Sequence, residues 1–496
     1  MGLRVMPAVT RHAPVARRWR SGPAPRLAAL AAGNRLFVAV FVPAALLRAD
    51  AELGYRWQSW FNDSFAYVAS AITLVTDPIR VSGYSVFLWL LEPFHSYALV
   101  TITQHLMGLA MGVMVYALAR HRFAAPGWIA ALAAVPVLYD GFQIQLEHLI
   151  MPDVLFEFLV MLAVTLLLWD RQPSWRRCAL AGLLIGLSAL MRSVGLPLLA
   201  VFAAYLVVRR VRWRAVAACV AACALPVLGY AGWYDLEHGQ FGMTASAGVF
   251  LYSRVMTFAE CPAMNPPPDL LELCTTVPPA RRPIAQAYIW GAASPLNRFP
   301  APEFSPLPNR LAKEFAIRAI EAQPLAYARA VADDTWRAFE WNRTVFPNAA
   351  TYDEYLFGTQ VAVPPSDARR AGGYSSYAAA YGHGNPQTRA ASPFAAAIRG
   401  YQRYAWLPGT VYGLILLTGL GGLVLAWRRA GGAALLPWAV SLALIVIPAA
   451  TAEFGYRYVL PAVPLAALAL AMAFGRDTAH PADARDDQGD LAADGA

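Results

Sequence analysis

An all-α, polytopic membrane bundle of about ten helices, with one large segment outside the bilayer, is the fold class predicted by three observations. Hydrophobic residues make up 58% of the chain and charged residues only 14%, and a mean hydropathy of +0.42 is too apolar for the surface of a water-soluble chain of this length. About ten apolar stretches run through the sequence. Arginines fall at every second gap between them, the bias that orients membrane helices. The formal charge of +9 does not point to nucleic acid, because outside the long segment most arginines sit at the ends of apolar stretches rather than in a basic domain.

The first span is read over roughly 26–47, after a basic segment 1–25 that carries Arg4, Arg11, Arg17, Arg18 and Arg20. Its length and the lack of a small-residue cleavage motif favour a retained anchor. Spans follow near 97–119, closed by Arg120 and Arg122, then 125–139, then 152–169, which leads into Arg171, Arg176 and Arg177. A tight hairpin of 178–190 and 194–208 holds Arg192 at its turn, and Arg209, Arg210, Arg212 and Arg214 precede a seventh span that ends near 234. The C-terminal part, 406–475, holds three more at 406–427, 435–450 and 458–474, with Arg428 and Arg429 between the first two.

An inside amino terminus puts every one of these arginine clusters in the cytoplasm. The outer face then receives the loops 48–96 and 140–151, the turn at Arg192, the segment 235–405 and the turn at Glu453. The last residues, 476–496, with Asp483, Asp486, Asp487, Asp490 and Asp494 among alanines and glycines, cannot bury a core and are expected to be a disordered cytoplasmic tail.

Cys178, Cys219 and Cys223 fall in or beside spans five and seven, where buried thiols usually serve packing. Cys261 and Cys274 are the two cysteines of the outer segment and flank a proline-rich stretch, so they are expected to form a disulfide that stabilises by about 3 kcal/mol. In the first outer loop, Phe65, Val68, Ala69, Ile72 and Val75 follow helical spacing. A short amphipathic helix is expected there on the bilayer surface, with Asp63 near its amino end, either as a helix cap or in a chemical role.

The order of several segments resembles the GT-C superfamily of integral membrane glycosyltransferases that use polyprenyl-phosphate sugars, in particular the protein O-mannosyltransferase and aminoarabinose transferase branch. NDSFAYVASA and SGYSVFLWLLEP are similar to the family's first outer loop. HLIMPDVLFEFLVMLAVTLLL resembles its fourth span, LAGLLIGLSALMRSVGLPLL its glycine-rich hairpin, and EFGYRYVLPAVPLAALAL the arginine-bearing mouth of a late span. The likeness runs through the expected core 26–234 and is thin across 235–405. It implies a GT-C-like bundle in the plasma (inner) membrane, with the reaction on the extracytoplasmic side, a polyprenyl-phosphate sugar donor and a glycan, lipid or protein acceptor. Membrane lipid is an implied partner and nucleic acid is not.

The resemblance implies an inverting displacement in which Asp63 accepts the acceptor's proton and cations hold the departing polyprenyl phosphate. Arg192 and Arg457, each at the outer mouth of a span, are the candidates for that clamp, because a planar guanidinium binds phosphate oxygens at two points; snorkelling to water is the other reading. Arg80, followed by Ser82 and Gly83, is a third candidate facing the lipid head group. Asp153 and Glu157 stand one turn apart, where burying a charge in hydrocarbon costs about 2.5–3.5 kcal/mol, and are candidates for substrate binding. Asp153 after Pro152 also reads as a helix cap. His148, with Glu147 beside it, completes the substrate-binding set. These two and Asp63 could hold a divalent cation, but no spacing is metal-specific; no cofactor is required and no metal site is assigned.

The segment 235–405, about 170 residues, is too long for a connector and is expected to be an extracytoplasmic domain that selects the acceptor. Its first part is proline-rich and irregular, and two helices are expected to break before Pro324. Trp336, Phe339, Trp341, Tyr352 and Tyr355 could stack on sugar rings or pack against the membrane. Two other classes stay open: an O-antigen-ligase or polymerase-like enzyme, and a transporter or flippase of lipid-linked sugars.

Overall fold

A computed structural model describes residues 33–359, 376–384, 386–425, 427 and 432–478. The arginines of segment 1–25, the start of the first expected span, Arg428 and Arg429, and the tail from 479 onward lie outside the described residues.

Helices occupy the expected apolar stretches. They are α1 (Arg35–Gly54), α2 (Ser64–Thr73), α3 (Gly83–Leu91), α4 (Tyr97–Ala117), α5 (Gly127–Tyr139), α6 (Gly141–His148), α7 (Asp153–Trp169), α8 (Trp175–Met191), α9 (Gly195–Val208) and α10 (Trp213–His238). By length and composition, three described helical runs can cross a membrane: Tyr97–Arg122, Trp213–His238 and Tyr456–Ala473. Two bent pairs raise that to five, α5 with α6 at 52°, and Phe394–Tyr404 with Gly409–Leu425 at 59°. Among the described residues the expected count of about ten is not reached; α7 and α8 have 17 residues each and α9 only 14, short of the roughly 20 that span hydrocarbon untilted.

Close packing explains the glycine-rich hairpin. A Cβ at Gly182 or Gly186 would overlap the backbone of α10 at Cys219 or Cys223, so the small-residue spacing lets α8 and α10 touch backbone to backbone. Cys178, Cys219 and Cys223 are free and buried.

Two expected surface loops are interior. Residues 141–156 are all buried, and the predicted outer loop 140–151 is mainly the helix α6, capped by Asp140, whose carboxylate accepts from the amides of Phe142 and Gln143 at 2.8 and 3.4 Å. The first loop folds inward as well: Ser64 to Ala71 of α2 are buried in protein, while Leu74 and Val75 just after it are exposed.

The long segment builds a second core from Val249, Tyr252, Leu273, Leu311, Phe315 and neighbours, under α11 (Ala247–Val255), α12 (Pro306–Ala322) and α13 (Pro324–Arg337). The helix break falls before Pro324 as expected. Cys261 and Cys274 are disulfide-bonded. After α14 (Ala349–Asp353) the chain returns to the first loop: β1 (Tyr55–Arg56) pairs antiparallel with β2 (Arg389–Ala390), and α15 (Phe394–Tyr404) packs on α1. Then come α16 (Gly409–Leu425), α17 (Leu435–Thr451), α18 (Tyr456–Val459) and α19 (Val463–Ala473). Residues 476–478, expected as the start of a loose tail, instead dock on the end of α4: the Arg476 amide donates to the Phe123 carbonyl at 2.6 Å, and Asp477 pairs with Arg122.

Candidate functional site

Three polar groups from distant parts of the chain meet at the start of α2. Asp63 occupies the capping position, yet its side chain caps nothing, and Ser64 Oγ accepts instead from the Phe61 amide at 2.9 Å. The carboxylate serves two arginines. Asp63 Oδ1 accepts from Arg80 Nε and Nη2 at 3.0 and 2.5 Å, and Oδ2 accepts from Arg457 Nη1 at 3.0 Å. A turn built by Asp77, whose Oδ1 accepts from the amides of Ile79 and Arg80 at 2.7 and 2.9 Å, aims Arg80. Arg457 lies on α18, after the break that follows α17, and its guanidinium packs over the rings of Phe61 and Tyr458 at 4.9 and 5.3 Å.

A second ion pair adjoins the first. Arg192, the residue after α8, pairs with Asp153 at the first position of α7 and lies over the Tyr458 ring at 4.5 Å. Tyr458 is therefore shared by Arg192 and Arg457, which joins Asp63–Arg457 to Asp153–Arg192 across one aromatic plate. Asp153 thus acts as a partner for arginine rather than as a side-chain cap.

Burial alone would raise the Asp63 pKa, but the Arg80 and Arg457 guanidiniums outweigh it and hold the carboxyl well below the usual range. Tyr67 is buried beneath this cluster, and burial together with the negative charge of Asp63 pushes its phenol up. Glu354, just after α14, accepts from the Asn62 amide through Oε2 at 3.3 Å. Burial, reinforced by Asp63, pushes the Glu354 carboxyl up to about 8, while the Asn62 amide and Arg457 oppose the shift. One carboxylate locked in its charged form thus stands beside a carboxyl that keeps its proton at neutral pH. Asp63, Arg80 and Arg457 side chains remain 18–19% exposed.

Sequence reading picked Asp63, Arg80, Arg192, Arg457 and Asp153 one by one, and the structure brings them together. Glu157 and His148 go elsewhere. Glu157 accepts from Gln143 Nε2 at 3.0 Å, and Gln143 also reaches Glu147 at 3.4 Å. His148 faces His105, Glu52 and the Tyr55 carbonyl rather than Asp63, so the divalent set of Asp63, Glu147 and His148 is not assembled; the carboxylate of Asp63 is occupied by arginine and that of Glu147 by Arg48 and His105.

Glu354 and Tyr458 were missed, because no local spacing marks a residue whose partner lies hundreds of positions away, and Tyr67, one turn from Asp63, has nothing in the sequence to set it apart from a core aromatic. Of the aromatic candidates of the long segment, four pair with protein rings, Trp336 with Phe339, Phe339 with Tyr412, Tyr352 with Tyr456 and Tyr355 with Phe61, while Trp341 is exposed. A separate cleft of about 420 Å³, lined by Arg254, Phe258, Asp334, Arg337, Phe346 and Glu453 among others, does not include Asp63 or its arginines.

Together these features define a helical protein with membrane-length apolar helices and a joined double ion pair at the mouth of its bundle. No family model matches the chain, and no curated protein does. Two solved structures are similar to it at low level. One is the archaeal oligosaccharyltransferase AglB from Archaeoglobus fulgidus in complex with an inhibitory peptide and a dolichol-phosphate, at 13% identity and a TM-score of 0.41. The other is the oligosaccharyltransferase of the same organism in the apo form, at 15% identity and a TM-score of 0.39. Each match covers 88% of this chain and 50% of the other, so the chain spans about half the length of those proteins. Likeness at these scores carries no conclusion about activity.

Proposed function

We propose that the chain is a membrane glycosyltransferase of GT-C type, moving a sugar from a polyprenyl-phosphate donor to an extracytoplasmic acceptor by inverting displacement. The observation that carries this reading is the Asp63 carboxylate held between Arg80 and Arg457. Two guanidiniums converging on one carboxylate are a ready anion site. In the resting protein Asp63 fills it; a donor phosphate competes for the same hydrogen bonds.

The exchange has a chemical purpose. A carboxyl whose pKa lies this low is a poor base, so the donor must first draw the arginines away, after which Asp63 recovers affinity for a proton. The acceptor oxygen then attacks the anomeric carbon, the carbon–oxygen bond to phosphate breaks, and the acceptor's proton passes to Asp63. The donor diester carries one negative charge and the departing monoester up to two. The arginines therefore bind the leaving group more strongly than the donor, which is where electrostatic stabilisation lowers a barrier. Asp153–Arg192 lends a further guanidinium through Tyr458, and protonated Glu354 supplies a hydrogen-bond donor beside the carboxylate.

The test is transfer of labelled sugar from polyprenyl-phosphate donors in proteoliposomes. Asp63→Asn keeps the shape and removes the charge, and its turnover is expected to fall to background. Retained turnover in this variant would falsify the base assignment. Label that crosses the bilayer without joining an acceptor would instead identify a flippase.

A further inference from the structure

A second buried cluster lies where α1, α4 and α6 meet. His105 Nε2 and His148 Nδ1 face each other at 3.3 Å, and Glu52 Oε1 lies 3.6 Å from the first and 3.8 Å from the second. The outer partners fix which ring nitrogens carry hydrogen. His148 Nε2 lies 2.7 Å from the Tyr55 carbonyl, which can only accept, so the proton of His148 is on Nε2. His105 Nδ1 lies 2.8 Å from Glu147 Oε2, and Glu147 is ion-paired to Arg48 at 2.8 Å, so it is a carboxylate acceptor and the proton of His105 is on Nδ1. Both inward nitrogens are therefore lone pairs. Facing them is Glu52, neither of whose buried oxygens has a hydrogen-bond partner.

Three electron-pair donors pointing at one another in a largely buried space, with the Glu52 side chain 12% exposed, repel unless a metal cation or a shared proton stands between them. We propose that Glu52, His105 and His148 form a binding site for a divalent transition metal, with Zn²⁺ the best match. Donors about 2.0–2.1 Å from a tetrahedral zinc are about 3.3 Å from each other. The two imidazoles already meet that edge, and the carboxylate needs to move only a few tenths of an ångström. Two imidazoles and one carboxylate suit zinc better than magnesium or calcium, which prefer all-oxygen sets.

The surroundings are built for such a site. Each histidine donates its outer N–H to an oxygen that orients the ring, the usual support for a metal-bound imidazole. A Cβ at Gly108 would strike the Glu147 carboxyl, so glycine leaves the face of α4 bare where that support sits. Arg48 also donates to the Leu138 carbonyl at 2.8 Å, fixing the charge that balances Glu147. The His148 and Ile150 backbones clasp Ser59, with the Ser59 amide donating to the His148 carbonyl at 3.0 Å and the Ile150 amide donating to the Ser59 carbonyl at 3.1 Å. A metal here ties three helices together and pins the stretch that delivers Asp63.

The test uses the full chain purified in detergent and stands whether or not the chain transfers sugar. Elemental analysis is expected to find about one zinc per chain after gel filtration, and a strong chelator is expected to lower the Tm by several degrees, restored by Zn²⁺. Replacing zinc with Co²⁺ is expected to give the visible d–d bands of a tetrahedral site. His105→Ala/His148→Ala should lose both metal and bands, while His121→Ala, at an exposed position, keeps them. If the double variant fails to fold, chelation and the cobalt spectrum of the unaltered chain decide. A metal-free chain insensitive to chelator and without cobalt bands overturns the proposal, as does a cluster whose Tm follows pH alone, the behaviour of a shared proton.

Discussion

Asp63 and Glu52 are carboxylates near the same mouth of the bundle, and their surroundings treat them in opposite ways. Asp63 is saturated, with both oxygens taken by guanidiniums and its proton affinity driven down. Glu52 is starved, facing two imidazole lone pairs without a hydrogen bond to either oxygen. A surplus of positive charge invites an anion to displace the resident carboxylate, whereas a surplus of lone pairs invites a cation to join it. Residue type alone does not separate these roles.

Breaking one centre without disturbing the other tests the contrast. After the loss to background expected for Asp63→Asn, the largest effect is expected from Arg457→Ala, which removes the partner of Asp63 Oδ2 and the cation over Phe61. Transfer should fall on the order of 10²–10³-fold, the range for losing one preorganised charge donor, while metal content stays unchanged. Cys261→Ser/Cys274→Ser should lower the stability of the segment around Val249 and Phe315 by about 3 kcal/mol, read by denaturant unfolding. Metal content should again be unaffected, since the bridge belongs to the second core. Arg80→Lys retains charge but loses the fork that reaches Asp63 Oδ1 with two nitrogens, and about a tenfold rise in donor KM is expected.

The smallest effects are on pH dependence. The folded pKa of Glu354 is raised from 4.5 to about 8, so its contribution to stability is full below 4.5 and is lost as pH rises through about 8. Thermal melts of Glu354→Gln should therefore decline less than those of the unaltered chain across that window. Asp63 has the opposite sign. Its depressed pKa gives stability that is present above 3.8 and disappears only in more acidic solution, and Asp63→Asn should flatten the acid limb alone.

Much of the helical layout was legible because apolar runs longer than a strand have few other ways to satisfy their backbone. Burial of the first loop was not, since aromatic and small residues such as Phe65 and Ala69 suit a lipid surface and a protein interior equally. Arg192 and Asp153 were each singled out, but their pairing was invisible: it depends on how the end of α8 meets the start of α7. Glu354 illustrates the same limit more severely, since its neighbour Asn62 lies 292 positions earlier. His105 gave no signal because it sits inside an ordinary apolar span, and Glu52 falls in the expected first outer loop just past the first span, so their chemistry emerges only when α1, α4 and α6 converge.

The ladder between β1 and β2 is short, but it is reinforced on both sides. Gln58 Nε2 and Trp60 Nε1 both donate to the Pro386 carbonyl at 2.8 and 2.7 Å, Thr388 Oγ1 donates to the Gln58 carbonyl at 2.5 Å, and the Ala391 amide donates to the Gly54 carbonyl at 2.7 Å. Covalent continuity between residue 359 and residue 376 is thus redundant with a non-covalent seam. Two fragments divided there and produced separately should find each other and co-migrate in detergent, held by this seam together with the packing of α15 on α1 and of α19 on α5.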